Sequence, residues 1–511
     1  MLEESPNKRI MRNTVYLYLR SFIIMGVGLF TSRIILQALG VDDFGLYGVV
    51  GSVVGMFTIL NGVLSVGTSR FLTFELGRGD KERLKKIFNA AFALHCCMAV
   101  ILFILFETVG LWLLNHKINI PVGREFASNV VYQLSVITCL VGVTQVPYGS
   151  VIIAHERIDL YAKIGMLEVF LKLFLIYSLL FLSFGDNLIA YSVILALWSI
   201  GLQVFYRFYC FRLFPETHLM WVREKSYYKS MVTYSLWDFI GQFCATGNGQ
   251  GLNILINMFF GVKVNAARSV AYQAEGKIDQ FSGNIMTSIQ PQIVKAYAQN
   301  DLSRFFMLIK EGGRYSFFLM FLFALPVFLE ADFLLNVWLV EVPKWSVLFL
   351  RCIIAITLFR TFARPLIAGV HATGNIKFLN MSSGLYSVST FLPFIYLLYS
   401  NGQSVWTCFC VWGFNSLVTT YLEALSLYRN VKFHMTSYFL TVHLKSIIIG
   451  LIASIPAIFP FLLMEQGWLR LILTTICGLI STSVCVYFLV FSIEMKHKVK
   501  AKVLSLIFRN K

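Results

Sequence analysis

Arg360 and Arg364 stand one helical turn apart within the apolar run LFLRCIIAITLFRTFARPL and share a face with Thr357 and Thr361. Two stacked guanidiniums make a fork suited to phosphate or pyrophosphate. Arg360 lies near the middle of the run, too deep to reach water easily. The competing use is pairing with an acid such as Glu275 or Glu423. A second stripe, Arg268, Tyr272, Glu275, Asp279 and Ser282, falls within roughly an 80° arc of a helix. Glu275 and Asp279 are like charges one turn apart and repel unless a proton or cation sits between them. They are candidates for an H+ or Na+ coupling site, with a scaffold ion pair as the alternative. Gln242, Thr246, Gln250, Asn253 and Asn257 form a third stripe of roughly 80°, which Asp238 widens to about 120°. Amides both donate and accept, so this stripe suits sugar hydroxyls; the alternative is a hydrogen-bonded seam between helices. Arg20 and Arg33 flank a dozen mostly apolar residues, about 18 Å of helix against a hydrocarbon core of about 30 Å. At least one of them therefore begins in hydrocarbon, at a cost of roughly 2.5 kcal/mol or more. Arg20 shares its face with Asn13, Tyr16 and Thr31 and is favoured over Arg33 as a ligand contact. Snorkelling to the nearest interface competes for both.

The elements that carry these residues are membrane spans. The chain of 511 residues is 57% hydrophobic, 15% aromatic and only 14% charged, against about a quarter charged in soluble domains. Its mean hydropathy is +0.71. Hydropathy predicts about fourteen spans, near 13–38, 45–74, 87–114, 126–152, 161–183, 188–211, 230–259, 265–290, 305–329, 345–370, 378–399, 404–427, 438–463 and 468–493. The first run follows a charged tail, has no small-residue cleavage site after it and precedes further spans, so it is not a removable signal. The ten cysteines lie scattered through apolar runs, without metal-ligand spacing, and read as small apolar residues.

The net charge of +17 sits in short loops and in the tail from Lys496 to Lys511. No basic soluble domain accompanies it, so the charge reports topology rather than nucleic-acid binding. With the N-terminus inside, the even-numbered loops and the tails hold about 25 Lys and Arg, and the odd-numbered loops about five. Both termini are then cytoplasmic. The chain also repeats itself. LGVD (39–42) answers FGVK (260–263), FELGRGDKERLKKIF (from Phe74) answers AYAQNDLSRFFMLI (from Ala296), and PYGSVIIAHERIDLY (from Pro147) answers PLIAGVHATGNIKFL (from Pro365). The near-constant offset implies two parallel six-helix repeats around a central cavity. The expected divisions are a first lobe at 1–212, a cytoplasmic linker at 213–229, a second lobe at 230–428, and two extra helices with a basic tail at 429–511. The equivalents of Arg360 and Arg364 in the first repeat are Gly142 and Val146, so the duplicated fold does not itself demand arginine there. Glu168 and Lys172 read as a structural pair, Arg70 as a snorkelling side chain, and His155-Glu156-Arg157 as a solvated connection.

The run NTVYLYLRSFIIMGVGLFTSRIILQALGVDDFGLYGVVG, followed by SRFLTFELGRGD, resembles the polysaccharide transporters of the multidrug/oligosaccharidyl-lipid/polysaccharide (MOP) exporter superfamily. GVKVNAARSVAYQ with SIQPQIVKAYA is similar to the start of their second lobe. The resemblance covers essentially the whole chain. It implies an all-α polytopic protein with MATE-like lobes, a bacterial inner-membrane location and alternating access. It also implies flipping of undecaprenyl-pyrophosphate-linked oligosaccharide, such as O-antigen, capsule or exopolysaccharide repeat units, with glycan-assembly proteins as partners. On that reading Arg20, Arg33, Arg268, Arg360 and Arg364 hold the pyrophosphate, the amide stripe passes the sugars, and Asp238, Glu275 and Asp279 couple an ion. No cofactor is expected beyond that ion. A MATE-like drug or cation exporter is the nearest rival, supported by the three acids. A membrane-embedded polymerase or ligase is the rival of another class. The short outside loops and the lack of a nucleophile–base constellation argue against it, and against an enzyme generally. An interaction scaffold leaves the polar stripe unexplained.

Overall fold

The computed structural model describes residues 12–24, 59–116, 123–178, 185–339 and 342–491, with isolated positions between 26 and 54 and at 120 and 496. Among the described residues there is helix and no strand. Residues 12–24 belong to the first helix, α1. There follow α2 (Ile59–Arg78), α3 (Lys81–His116), α4 (Glu125–Ala154), α5 (Ile158–Ser178), α6 (Asn187–Leu213) and α7 (Lys225–Phe260). Then come α8 (Val262–Ala298), α9 (Leu302–Leu329) and α10, whose halves Ser346–Arg360 and Ala363–Thr373 meet at 42°. The series closes with α11 (Lys377–Ser400), α12 (Thr407–Val431), α13 (Met435–Leu463) and α14 (Trp468–Val490). These helices follow the order of the fourteen spans expected from hydropathy.

Seven of them, α3, α4, α6, α9, α11, α13 and α14, are long and apolar enough to cross a membrane on those grounds alone, and the bent pair of α10 makes eight. The chain is thus a multi-pass membrane protein. Outside that set are α2, α5, α7, α8 and α12, the more polar helices. At 36 and 37 residues, α7 and α8 run to roughly 54 Å, well beyond a hydrocarbon core of about 30 Å. The polar stripes read from the sequence thus fall on helices whose length is ample and whose apolarity is not. The hydrophobic effect alone does not place them in a bilayer.

Helix ends are set by local chemistry. Asp80 caps α3 by accepting Arg83 N–H at 2.9 Å, and Asp186 caps α6 by accepting Leu188 N–H at 2.9 Å. Arg351 donates to the last carbonyls of α9, Phe328 O at 3.0 Å and Leu329 O at 3.2 Å. Within α3 the ladder widens to π geometry at Phe106–Gly110, where Tyr132 OH donates to Phe106 O at 2.7 Å. The tyrosine hydroxyl occupies the place a Cβ on Gly110 would take, so only glycine fits there.

The left-handed turns carry the duplication most plainly. Among the described residues ten have positive φ; apart from Gly261 and Lys432 they fall in two series, Gly79, Gly123, Glu156 and Gly185, and Asn300, Trp345, Gly374 and Gly402. Each pair is 217–222 residues apart, matching the sequence offset, and in three of the four pairs the residue type has changed. The turn geometry is inherited even where glycine, its natural occupant, is not.

The chain divides into two compact units. The first holds Met1–Gln242, Gln290–Leu302 and His371–Ile376, and the second the remainder. The first is built on Leu72, Phe88, Tyr148 and Ile152 and on Phe106, Tyr132 and Val136. The second is built on Leu252, Phe349, Ile353, Phe391 and Cys408.

Candidate functional site

The second unit contains most of the candidate residues. Arg268 of α8 is buried. Its Nη1 donates to Asn253 Oδ1 of α7, its Nη2 reaches Gly249 O at 3.4 Å, and its guanidinium lies 4.4 Å over the Tyr272 ring. Tyr272 in turn stacks on Trp412 with ring centroids 5.8 Å apart. Asn253 donates to Gln250 Oε1 at 3.2 Å. One cation, two amides and two aromatic rings are thus brought together from α7, α8 and α12. Thr246, Gln250 and Asn257 are exposed. Among the described residues no carboxylate forms a salt bridge with Arg268, and its Nε is buried without a hydrogen-bond partner.

The arginine fork of α10 is not free. Arg360 binds Glu423 of α12 through both amino groups, at 2.9 and 3.1 Å, and Nη1 also donates to Thr419 and Thr420 Oγ1 at 3.1 Å. Arg364 binds both oxygens of Asp279 on α8, at 2.5 and 2.6 Å. The two guanidiniums, stacked in sequence, thus turn to different helices. Of the two acids read as a coupling pair, Asp279 is spent on Arg364, while Glu275 is buried and forms no salt bridge among the described residues. Asn248, which sequence reasoning missed because it lies off the amide stripe, joins Asn415 on Ser387 Oγ at 2.6 and 2.9 Å.

The first unit holds the remaining candidates. Asp238 is buried and accepts from Gln242 Nε2 at 2.6 Å. His371 stands beside it, Nε2 to Oδ1 3.9 Å, and its Nδ1 meets Tyr234 OH at 2.6 Å. His371 gave no sequence signal, being a lone histidine 133 residues from Asp238. Arg20 packs its guanidinium 4.7 Å over Tyr161 and against Gly165 of α5, where a Cβ would collide with it. Arg33 lies outside the described residues. Arg70 does not snorkel. It lies 4.8 Å over both Phe71 and Phe74 and donates to Ala372 O at 3.1 Å. Glu156, expected in a solvated connection, is only 2% exposed. Nearby, His155 Nε2 meets Glu216 Oε1 at 2.5 Å. Burial works against the Glu216 carboxylate, but the bond from His155, a backbone N–H and the histidine's charge outweigh it and hold the acid below the usual carboxylate range.

No family model matches the sequence, and no curated protein matches it. Solved structures do match the fold. An outward-facing multidrug resistance MATE family transporter of the MOP superfamily superposes with a TM-score of 0.68 at 14% identity, over 84% of this chain and 97% of that one. A MOP superfamily transporter from Pyrococcus furiosus, whose binding pocket is described as having reverse polarity, gives 0.69 at 13% identity over 86% and 97%. The Vibrio cholerae MATE transporter VcmN gives 0.69 at 16% identity over 85% and 99%. At these identities the likeness is one of fold. The chain is an all-helical membrane protein with the MATE-like fold of MOP superfamily transporters.

Proposed function

We propose that the chain is a flippase for undecaprenyl-pyrophosphate-linked oligosaccharide, an O-antigen, capsule or exopolysaccharide unit, working by alternating access in a bacterial inner membrane with both termini cytoplasmic. The lobes are 1–212 and 230–428, joined by 213–229, with 429–511 as an added helix pair. The observation that carries the reading is Arg268. A buried cation with no acidic partner among the described residues, set with Asn253, Gln250, Tyr272 and Trp412, combines the chemistry of an anion with that of a sugar. Arg20, half-buried over Tyr161, is taken as a second cation of the site, and Arg33 is assigned with it. Arg360 and Arg364 enter ligand chemistry only by leaving Glu423 and Asp279, so they act as exchangeable partners. Thr246 and Asn257 extend the amide path. Asp238, with Gln242 and His371 against it, is the foremost site for a coupling proton or sodium ion, and Glu275 and Asp279 are the others. Glycan-assembly proteins are the partners this function implies.

Glu275, buried and in no salt bridge among the described residues, favours a second reading, export of an organic cation. The sidedness of lipid-linked oligosaccharide separates the two. In spheroplasts treated with an impermeant glycan-cleaving reagent, protected repeat units should accumulate without the chain and become accessible when it returns. An unchanged distribution, together with cation efflux that depends on the chain, would establish the exporter.

A further inference from the structure

The turn that joins α4 to α5 holds Glu156 at φ 59°, where its counterpart in the second repeat is Gly374 at φ 79°. An L side chain is disfavoured in that conformation, so glycine is the natural occupant and glutamate needs a reason. The reason is visible in its contacts. The carboxylate, 2% exposed, takes Lys295 Nζ at 2.5 Å and the side-chain amide of Gln292, both from the last turns of α8. Its carbonyl accepts Asn13 Nδ2 of α1 at 3.1 Å.

The equivalent contact exists in the other repeat with different residues. There α2 meets the turn after α10. Arg70 donates to Ala372 O at 3.1 Å, and its guanidinium fills the place a Cβ on Gly374 would need. His371, just before that turn, meets Tyr234 OH at 2.6 Å. In one clasp the acid sits on the turn and the cation on the helix. In the other the cation on the helix grips the backbone of a glycine turn directly. Both clasps join a helix of one repeat to a turn of the other. Both stand at the chain end that the positive-inside charge assigns to the cytoplasm. In a two-lobe transporter, contacts that tie the repeats together at one end must break when that end opens.

We propose that the two clasps form one latch, Glu156 on Gln292 and Lys295 and Arg70 on the 372–374 turn, which holds the cytoplasmic end closed and releases as a unit when that end opens. The proposal rests on reading the chain as an alternating-access transporter. Its test is hydrogen–deuterium exchange on the full chain in nanodiscs, with no substrate needed, so it stands or falls apart from the glycan assay. Glu156→Gly relieves the turn and removes the clasp, whereas Lys295→Met leaves the turn untouched. Either variant should raise exchange about tenfold at residues 290–302 and also at 371–376, which Glu156 does not touch. Exchange at 123–130, by the Arg124–Asp186 pair of the opposite end, should fall. A rise confined to 290–302 would make Glu156 a local staple and overturn the latch. No change at either segment in both variants would overturn it as well.

Discussion

Glu423→Gln should destabilise the protein, and Arg360→Gln added to it should restore most of the loss. The Glu423 side chain is 4% exposed and that of Arg360 29%. Removing one member of a buried ion pair costs roughly 3–5 kcal/mol, because the survivor keeps its charge without compensation. Arg360 in the Glu423→Gln protein retains Thr419 and Thr420 and some solvent, which lowers the expected cost to about 2–3 kcal/mol. Arg360→Gln alone leaves Glu423 nearly dry, and protonation of the carboxylate then limits the cost to about the same. In the double variant two amides face each other and no charge is stranded, so it should lose only about 1 kcal/mol, a coupling energy of about 3–5 kcal/mol. The assay is heat denaturation of the four proteins in nanodiscs by intrinsic fluorescence, with membrane abundance measured beside it. Single variants that melt with the parent, or a double variant that loses the sum of the two, would refute the reasoning. The same double variant bears on function. A folded protein that still flips would assign Arg360 to the scaffold, and a folded protein that does not would make it part of the substrate path.

Arg268→Lys keeps the charge but loses the fork and the stacking on Tyr272; transport should fall at least about tenfold with abundance unchanged, and full activity would remove Arg268 from the substrate site. Asp238→Asn should leave substrate binding intact while abolishing the response of transport to an imposed proton or sodium gradient, measured in proteoliposomes. Glu216 titrates below the usual carboxylate range in the folded chain. Its contribution to stability is therefore complete at neutral pH, begins to fade as pH drops past the ordinary glutamate value of about 4.3 and is lost as pH falls through the lowered one. Melting temperature against pH should show this loss, and Glu216→Gln should remove it.

Much of the fold was legible because its causes are local. Apolar run length gives the spans, and the LGVD/FGVK and Pro147/Pro365 matches give the duplication. The charged stripes were also legible, since helical geometry places Arg268, Tyr272 and Glu275 on one face whatever surrounds them. Partners were not legible. Sequence offers Arg360 both Glu275 and Glu423, and only packing selects Glu423. It places Arg364 on a stacked fork, whereas the structure turns it to Asp279. Glu156 reads as a loop acid, and its burial depends on α8 arriving 139 residues later. His371 is invisible for the same reason.

The duplication also tests what each arginine is for. Comparison of single positions sets Arg360 against Gly142 and suggests that the fold needs no cation there. The helices say otherwise. In the first repeat Arg207 of α6 reaches α4, donating to Thr144 Oγ1 at 2.5 Å, Gln145 Oε1 at 3.2 Å and Val141 O at 3.3 Å. In the second repeat Arg360 of α10, the counterpart of α4, reaches α12, the counterpart of α6. Each lobe thus bridges its fourth and sixth helices with one guanidinium, supplied from opposite sides. A bond that recurs with its donor exchanged gives Arg360 a scaffold role to account for, beside any role in ligand exchange. Arg268 has no such echo. The LGVD/FGVK match sets it on Tyr47, which packs edge-on against Tyr191 at 4.9 Å. Where one repeat is satisfied by two aromatic rings, the other buries a cation among amides. That asymmetry is what a binding site for an anionic headgroup requires, and it is why Arg268, rather than the α10 fork, is the residue on which the transport reading should be tested.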